Sequence, residues 1–164
     1  QLRLYSFTQH DDVFVANGRA CLADLKDDRL DILDVSDPAR PLLTQTLPGA
    51  GGRNLVVHRG RAYLAAGSQG LRRVDLDAPA GPRLLAGTGT SDARDLAVAG
   101  NLLYLAAGAG GVKVFAIGPD GALSYRASAP LPEPASGIEV YAGQVWVLGD
   151  TGLYALREAT LPVP

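Results

Sequence analysis

The chain has 164 residues, 47% of them hydrophobic and 20% charged, with a net charge of −2. That balance fits one globular domain able to bury about 70% of its unfolded surface, and it predicts no polyanionic partner. Apolar stretches break well before eighteen residues, so no membrane span is expected, and the single cysteine excludes an internal disulfide.

Thirteen arginines and two lysines are scattered among fourteen aspartates. No basic stripe with interleaved aromatics forms, so nucleic-acid binding is not expected. The 20 glycines and 11 prolines fall at regular intervals between apolar runs. They punctuate many short strands and do not form a disordered tract.

In chain order, QLRLYSF (1–7) is an alternating strand with no first unit to belong to. VFVANGRACLA (13–23) opens the first of four related units. ADLKDDRLDILDVSD (23–37) then puts a longer acidic loop where later units have a tight glycine turn, and RPLLTQTLP (40–48) is the closing strand. LVVHRGRAYLAAG (55–67) begins the second unit, and LAVAGNLLYLAAG (96–108) repeats it without a gap.

The third unit reads as four strands, DLAVA (95–99), LLYLAA (102–107), VKVFAI (112–117) and ALSYRAS (122–128). Gly100-Asn101, GAGG (108–111) and GPDG (118–121) join them, with glycines supplying positive φ at little cost. The middle strands are apolar on nearly every position, as expected where both faces are covered. IEVYAGQVWVLG (138–149) starts the fourth unit, which supplies strands at 138–141, 144–148 and 152–157 only.

Cys21, Tyr63, Tyr104 and Trp146 hold the same place in the four units, at intervals of 42, 41 and 42 residues. A period near 40–45 points to propeller blades, and no stretch keeps a helical period. The expected fold is all-β: a β-propeller of four blades, each a four-stranded antiparallel sheet, with the N-terminal strand closing the last blade. The blades span about 12–48, 54–89, 95–130 and 137–158 plus 1–7, in one domain over 1–158 with a tail at 159–164. Closure of the ring would protect its edges. The rival is half of an eight-bladed ring, completed by a second copy or by further sequence; a monomer is favoured over a homodimer.

LDILDVSDPARPLL (30–43), LRRVDLDAPAGPRLL (71–85) and RDLAVAGNLLYLAAGAGGVKVF (94–115) resemble LVIVD repeats. The shared features are a Tyr-bearing strand, a Gly-Gly turn, a strand ending in Asp and a Ser-Asp-Pro turn. The resemblance covers nearly the whole chain and is strongest in units one to three. It implies a β-propeller of secreted or cell-surface proteins, without an established catalytic motif.

Loops between blades share one face of a propeller with the turns between second and third strands. Here those loops are residues 9–12, 48–54, 89–95 and 132–137. The inner strands then start at Asp12, Asn54, Asp95 and Gly137, ringing the channel mouth, with Asp11, Arg53, Arg94 and Ser136 one step outward. His10 belongs to the same mouth and is a candidate base or ligand. Arg53 and Arg94 are expected to neutralise Asp12 and Asp95 as ion pairs of little net stability; the alternative is a clamp for a small polar ligand or a metal.

Asp24, Asp27, Asp28 and Asp31 form a second candidate, a cation site in the divergent acidic loop. Their spacing lacks the Gly and terminal Glu of an EF-hand, so a solvated hairpin tip is the competing reading. Cys21, inside an inner strand, reads as an inert core thiol, and His58 as a solvated turn residue. Asp34 and Asp75 end third strands and are expected to accept backbone hydrogen bonds from the following turns.

No nucleophile–base pair is evident. The expected function is therefore non-catalytic binding or scaffolding, with an unknown protein or a small polar ligand held on the channel-mouth face. The alternative is a hydrolase or lyase using Asp12, Asp95 and His10. No cofactor is expected beyond a candidate divalent cation.

Overall fold

The computed structural model describes residues 9–157. Fifteen strands and no helix lie among them. Blade 1 comprises β1 (Asp12–Ala16), β2 (Arg19–Asp24), β3 (Arg29–Asp34) and β4 (Leu42–Pro48). Blade 2 holds β5 (Asn54–His58), β6 (Arg61–Ala65), β7 (Leu71–Asp75) and β8 (Arg83–Thr88). Blade 3 holds β9 (Asp95–Ala99), β10 (Leu102–Ala106), β11 (Val112–Ile117) and β12 (Leu123–Ala129). Blade 4 shows β13 (Gly137–Tyr141), β14 (Gln144–Leu148) and β15 (Leu153–Arg157). Each sheet is an antiparallel meander in sequence order. The strand expected over residues 1–7 lies outside the described residues.

The first hairpin of a blade is set by its turn. Asn17-Gly18, Arg59-Gly60 and Ala142-Gly143 all place both central residues at positive φ. That conformation matches the right-handed twist of the flanking strands and fixes their register. Register in turn decides which face each side chain takes, because a one-residue slip would turn every apolar residue outward. In blades 1 to 3 the pairing of third and fourth strands shifts at one point, Ile32/Leu33, Leu71/Arg73 and Val114/Phe115. A bulge there bends and twists the outer strand.

Blades stack face to face. Phe14, Cys21 and Ile32 of blade 1 meet Leu55, Leu64 and Val74 of blade 2. Tyr63, Ala65 and Leu71 of blade 2 meet Leu96, Leu103 and Leu105 of blade 3. Tyr104, Ala106 and Val112 then meet Ile138, Val145 and Val147 of blade 4. A central strand such as β10 sends Leu103 and Leu105 backward and Tyr104 and Ala106 forward, which is why it reads as an unbroken apolar run. Burial of each large apolar side chain contributes about 1.5–3 kcal/mol. The inner strands pack in the order β1, β5, β9, β13. Among the described residues no comparable row of contacts joins β13 back to β1.

Candidate functional site

The four inner strands start where the repeat places them, at Asp12, Asn54, Asp95 and Gly137. Residues one step upstream extend each ladder identically. The backbone N–H groups of Asp11, Arg53, Arg94 and Ser136 donate to the carbonyls of Ala23, Ala65, Ala106 and Leu148. This row of inner-strand starts is thus built from backbone repetition.

The two aspartates of that row act on backbone. Asp12 accepts the N–H of Val13 through Oδ1 at 2.8 Å and that of Leu55 in blade 2 through Oδ2 at 2.8 Å. Asp95 repeats the arrangement with Leu96 at 2.9 Å and Ile138 of blade 4 at 2.7 Å. Each carboxylate therefore caps its own strand and fastens the next blade. Asn54 holds the equivalent place in blade 2, but among the described residues its buried Oδ1 finds no hydrogen-bond partner. Burial raises the Asp95 pKa, with the Asp12 and Glu139 charges adding to it, while the two N–H bonds pull it down.

The arginines go elsewhere than the sequence suggests. Arg94 forks onto Asp92, with Nη2–Oδ2 at 2.9 Å, in place of Asp95. Both Asp95 oxygens are already occupied by the N–H groups of Leu96 and Ile138, and the Asp92 carboxylate takes the guanidinium instead. Arg53 is exposed, and among the described residues no carboxylate pairs with it. His10 turns to Asp31, with Nε2–Oδ2 at 3.0 Å. Asp31 is buried and also receives the Thr46 hydroxyl and lies 3.4 Å from Arg29 Nε.

Within the acidic loop Arg29 is the central cation. Its guanidinium lies 3.2 Å from Asp24 and 3.7 Å from Asp27, besides Asp31. Asp28 instead pairs with Arg72 of blade 2, and this bond holds its carboxyl below the ordinary value. Among the described residues no group of three or more His, Cys, Asp and Glu side chains is disposed to hold a metal ion. Gly51 permits the close approach here: a Cβ on it would stand 2.3 Å from the Asp24 carbonyl oxygen and 2.7 Å from Asp28 Cα.

Arg53 and the Asp28–Arg72 pair line a cleft of about 580 Å³ on this face, together with Ser68, Gln69 and Asp92. Of these, the sequence reading nominated Arg53 and Asp28. Arg72 had one available signal: a basic residue follows the glycine turn in both the second and third units, as Arg72 and Lys113. Ser136, by contrast, bonds its hydroxyl to the Leu148 carbonyl at 3.1 Å, and Asp11 accepts the Leu25 N–H at 2.8 Å.

The remaining candidates are structural in their surroundings. Cys21 is buried between blades 1 and 2, and burial pushes its thiol up to about 11. His58 is partly buried, not fully solvated, and burial followed by the Arg59 charge lowers its pKa. Asp34 and Asp75 accept the N–H groups of Ser36 at 2.9 Å and Asp77 at 3.1 Å, the turn role expected of them.

The LVIVD repeat model matches residues 9–47 and 90–115. No curated protein matches the chain in sequence. Among solved structures, the computationally designed Ika4 protein superposes with a TM-score of 0.73 at 14% identity, over 94% of this chain and 95% of that one. A protein from Lactobacillus plantarum gives 0.77 at 20% identity, over 94% of this chain and 54% of that one. The designed Ika8 protein gives 0.63 at 15% identity, over 93% and 46%. The chain thus spans about half the length of the last two. Four antiparallel blades in sequence order give this chain a β-propeller fold, and its first and third blades match the LVIVD repeat model.

Proposed function

We propose that the chain is a non-catalytic binding module that takes a small polar ligand bearing a carboxylate or similar anionic group in the channel-mouth cleft. The observation that carries this reading is the charge inventory of the cleft. Asp28 is paired with Arg72 and Asp92 with Arg94, whereas Arg53, exposed in the same cleft, forms no ion pair among the described residues. An unmatched guanidinium in a concave polar site offers planar, two-point recognition of a carboxylate. Calorimetric titration with citrate and with an acidic hexapeptide tests it. Saturable binding of either probe that Arg53→Glu abolishes supports the reading; no binding, or binding unchanged by Arg53→Glu, overturns it.

A hydrolase or lyase reading has one supporting observation, the raised Asp95 carboxyl, since a shifted carboxylate in a concavity is a candidate general base. Against it, both Asp95 oxygens already accept backbone N–H groups, and His10 is engaged with Asp31. Asp95→Asn separates the two readings: it would abolish hydrolysis of a susceptible ester while leaving citrate binding intact.

A further inference from the structure

The three blade junctions share one pattern. The forward face of a blade contributes a residue at the Cys21, Tyr63 or Tyr104 position, which is 2%, 0% or 3% exposed. Beside it the first apolar residue of the third strand, Leu30, Leu71 or Val112, is fully covered. The backward face of the next blade receives them with its inner strand, at Leu55, Leu96 and Ile138, each 5–6% exposed.

Blade 4 carries the same forward row. Trp146 takes the tyrosine position and Leu153, paired with Leu148, takes the place of Leu71 and Val112. Leu148 and Leu153 are nevertheless 52% and 65% exposed. Blade 1 carries the receiving row, because Val13 pairs with Leu22 as Leu55 pairs with Leu64. Val13 and Val15 are 59% and 61% exposed, while Ala20 and Leu33, further along the same face, are buried. Both halves of a fourth junction are present, and among the described residues no strand of blade 1 packs on one of blade 4 to the extent seen at the other three junctions.

We infer that these two faces dock on a second copy of this chain, the forward face of blade 4 on the backward face of blade 1, closing an eight-bladed ring of two molecules. The contact continues the blade junction the fold has already made three times. Taken once in each direction about a twofold axis, it engages all four terminal faces and leaves none to propagate. Two-molecule closure departs from the monomer favoured by sequence. It also removes exposed large apolar side chains that an isolated arc would leave to water.

Light scattering over a concentration series, on the full chain, tests this. The expected mass is twice 17.0 kDa, without growth to larger species. Val15→Glu and Trp146→Arg lie on opposite ends of the arc, and each is expected to weaken association by about 30-fold or more, the size of a buried aromatic hot spot. Far-UV circular dichroism establishes that both variants remain folded. Mixing the two variants restores partial dimer through the one junction left with neither substitution. A mass of 17.0 kDa at every concentration, open-ended growth, or a dimer indifferent to both substitutions would overturn the inference.

Discussion

Asp95 Oδ2 accepts the Ile138 N–H at 2.7 Å, and this bond fastens the inner strand of the third blade to that of the fourth. Asp12 and Leu55 do the same between the first and second blades. Removing the acceptor leaves buried N–H groups unpaired, so Asp95→Ala is expected to cost about 1–3 kcal/mol. Asp95→Asn keeps one acceptor oxygen and should cost less. Urea unfolding of the two variants checks the order; equal losses would contradict the bonding described.

The same site and the acidic loop respond to pH with opposite signs. The folded Asp28 carboxyl lies below its ordinary value of 3.8 because Arg72 bonds it. The stability it contributes is present above that value and is lost as pH falls through the lowered one. Asp95 is raised instead, so its contribution is present at low pH and lost as pH rises through the raised value. Asp28→Asn should therefore be less stable than wild type near neutrality and converge with it in acid. Asp95→Asn should gain on wild type as pH rises. Urea midpoints between pH 3 and 7 measure both trends.

Much of the fold was legible because its signals are local. The 41–42 residue period, the glycine turns and the apolar strands each depend on nearby residues, and strands such as 95–99 and 144–148 fall where expected. The alignment also placed the row of Asp12, Asn54, Asp95 and Gly137 correctly at the strand starts. Its chemistry was not legible, since Asp12 bonds a backbone group 43 residues away and Arg94 turns back to Asp92. Backbone donors leave no trace in residue identity. Nor does the rotation from blade to blade, which decides whether blade 4 meets blade 1.

Cys21 should be silent as a nucleophile. Its thiol titrates near 11 because burial disfavours the thiolate, which is the reactive form. A disulfide reagent at pH 8 should fail to label the native chain and label it fully in urea. Rapid native labelling would contradict the buried placement.

Tyr63 ties blade 2 to blade 3 through its hydroxyl, which donates to the Gly121 carbonyl at 3.1 Å. Arg73 Nη1 donates to the same oxygen at 2.9 Å, so the carbonyl stays satisfied when the hydroxyl is removed. Tyr63→Phe should cost about 0.5–1 kcal/mol, the low end for a net hydrogen bond. Gly121→Ala should cost more, since φ is +77° and a Cβ would stand 2.7 Å from Arg61 Cγ. Thermal unfolding of the two variants gives the comparison.

Trp146 is the chain's single tryptophan, so its emission reports directly on whether the forward face of blade 4 is covered. The decisive measurement is its emission maximum and acrylamide quenching in wild type and in Val15→Glu at equal concentration. Val15 sits on the opposite end of the arc, so only a docked partner can carry its substitution to Trp146. Docking predicts a blue-shifted, protected tryptophan in wild type that shifts red and quenches faster in Val15→Glu. Identical spectra and quenching in the two proteins would contradict it.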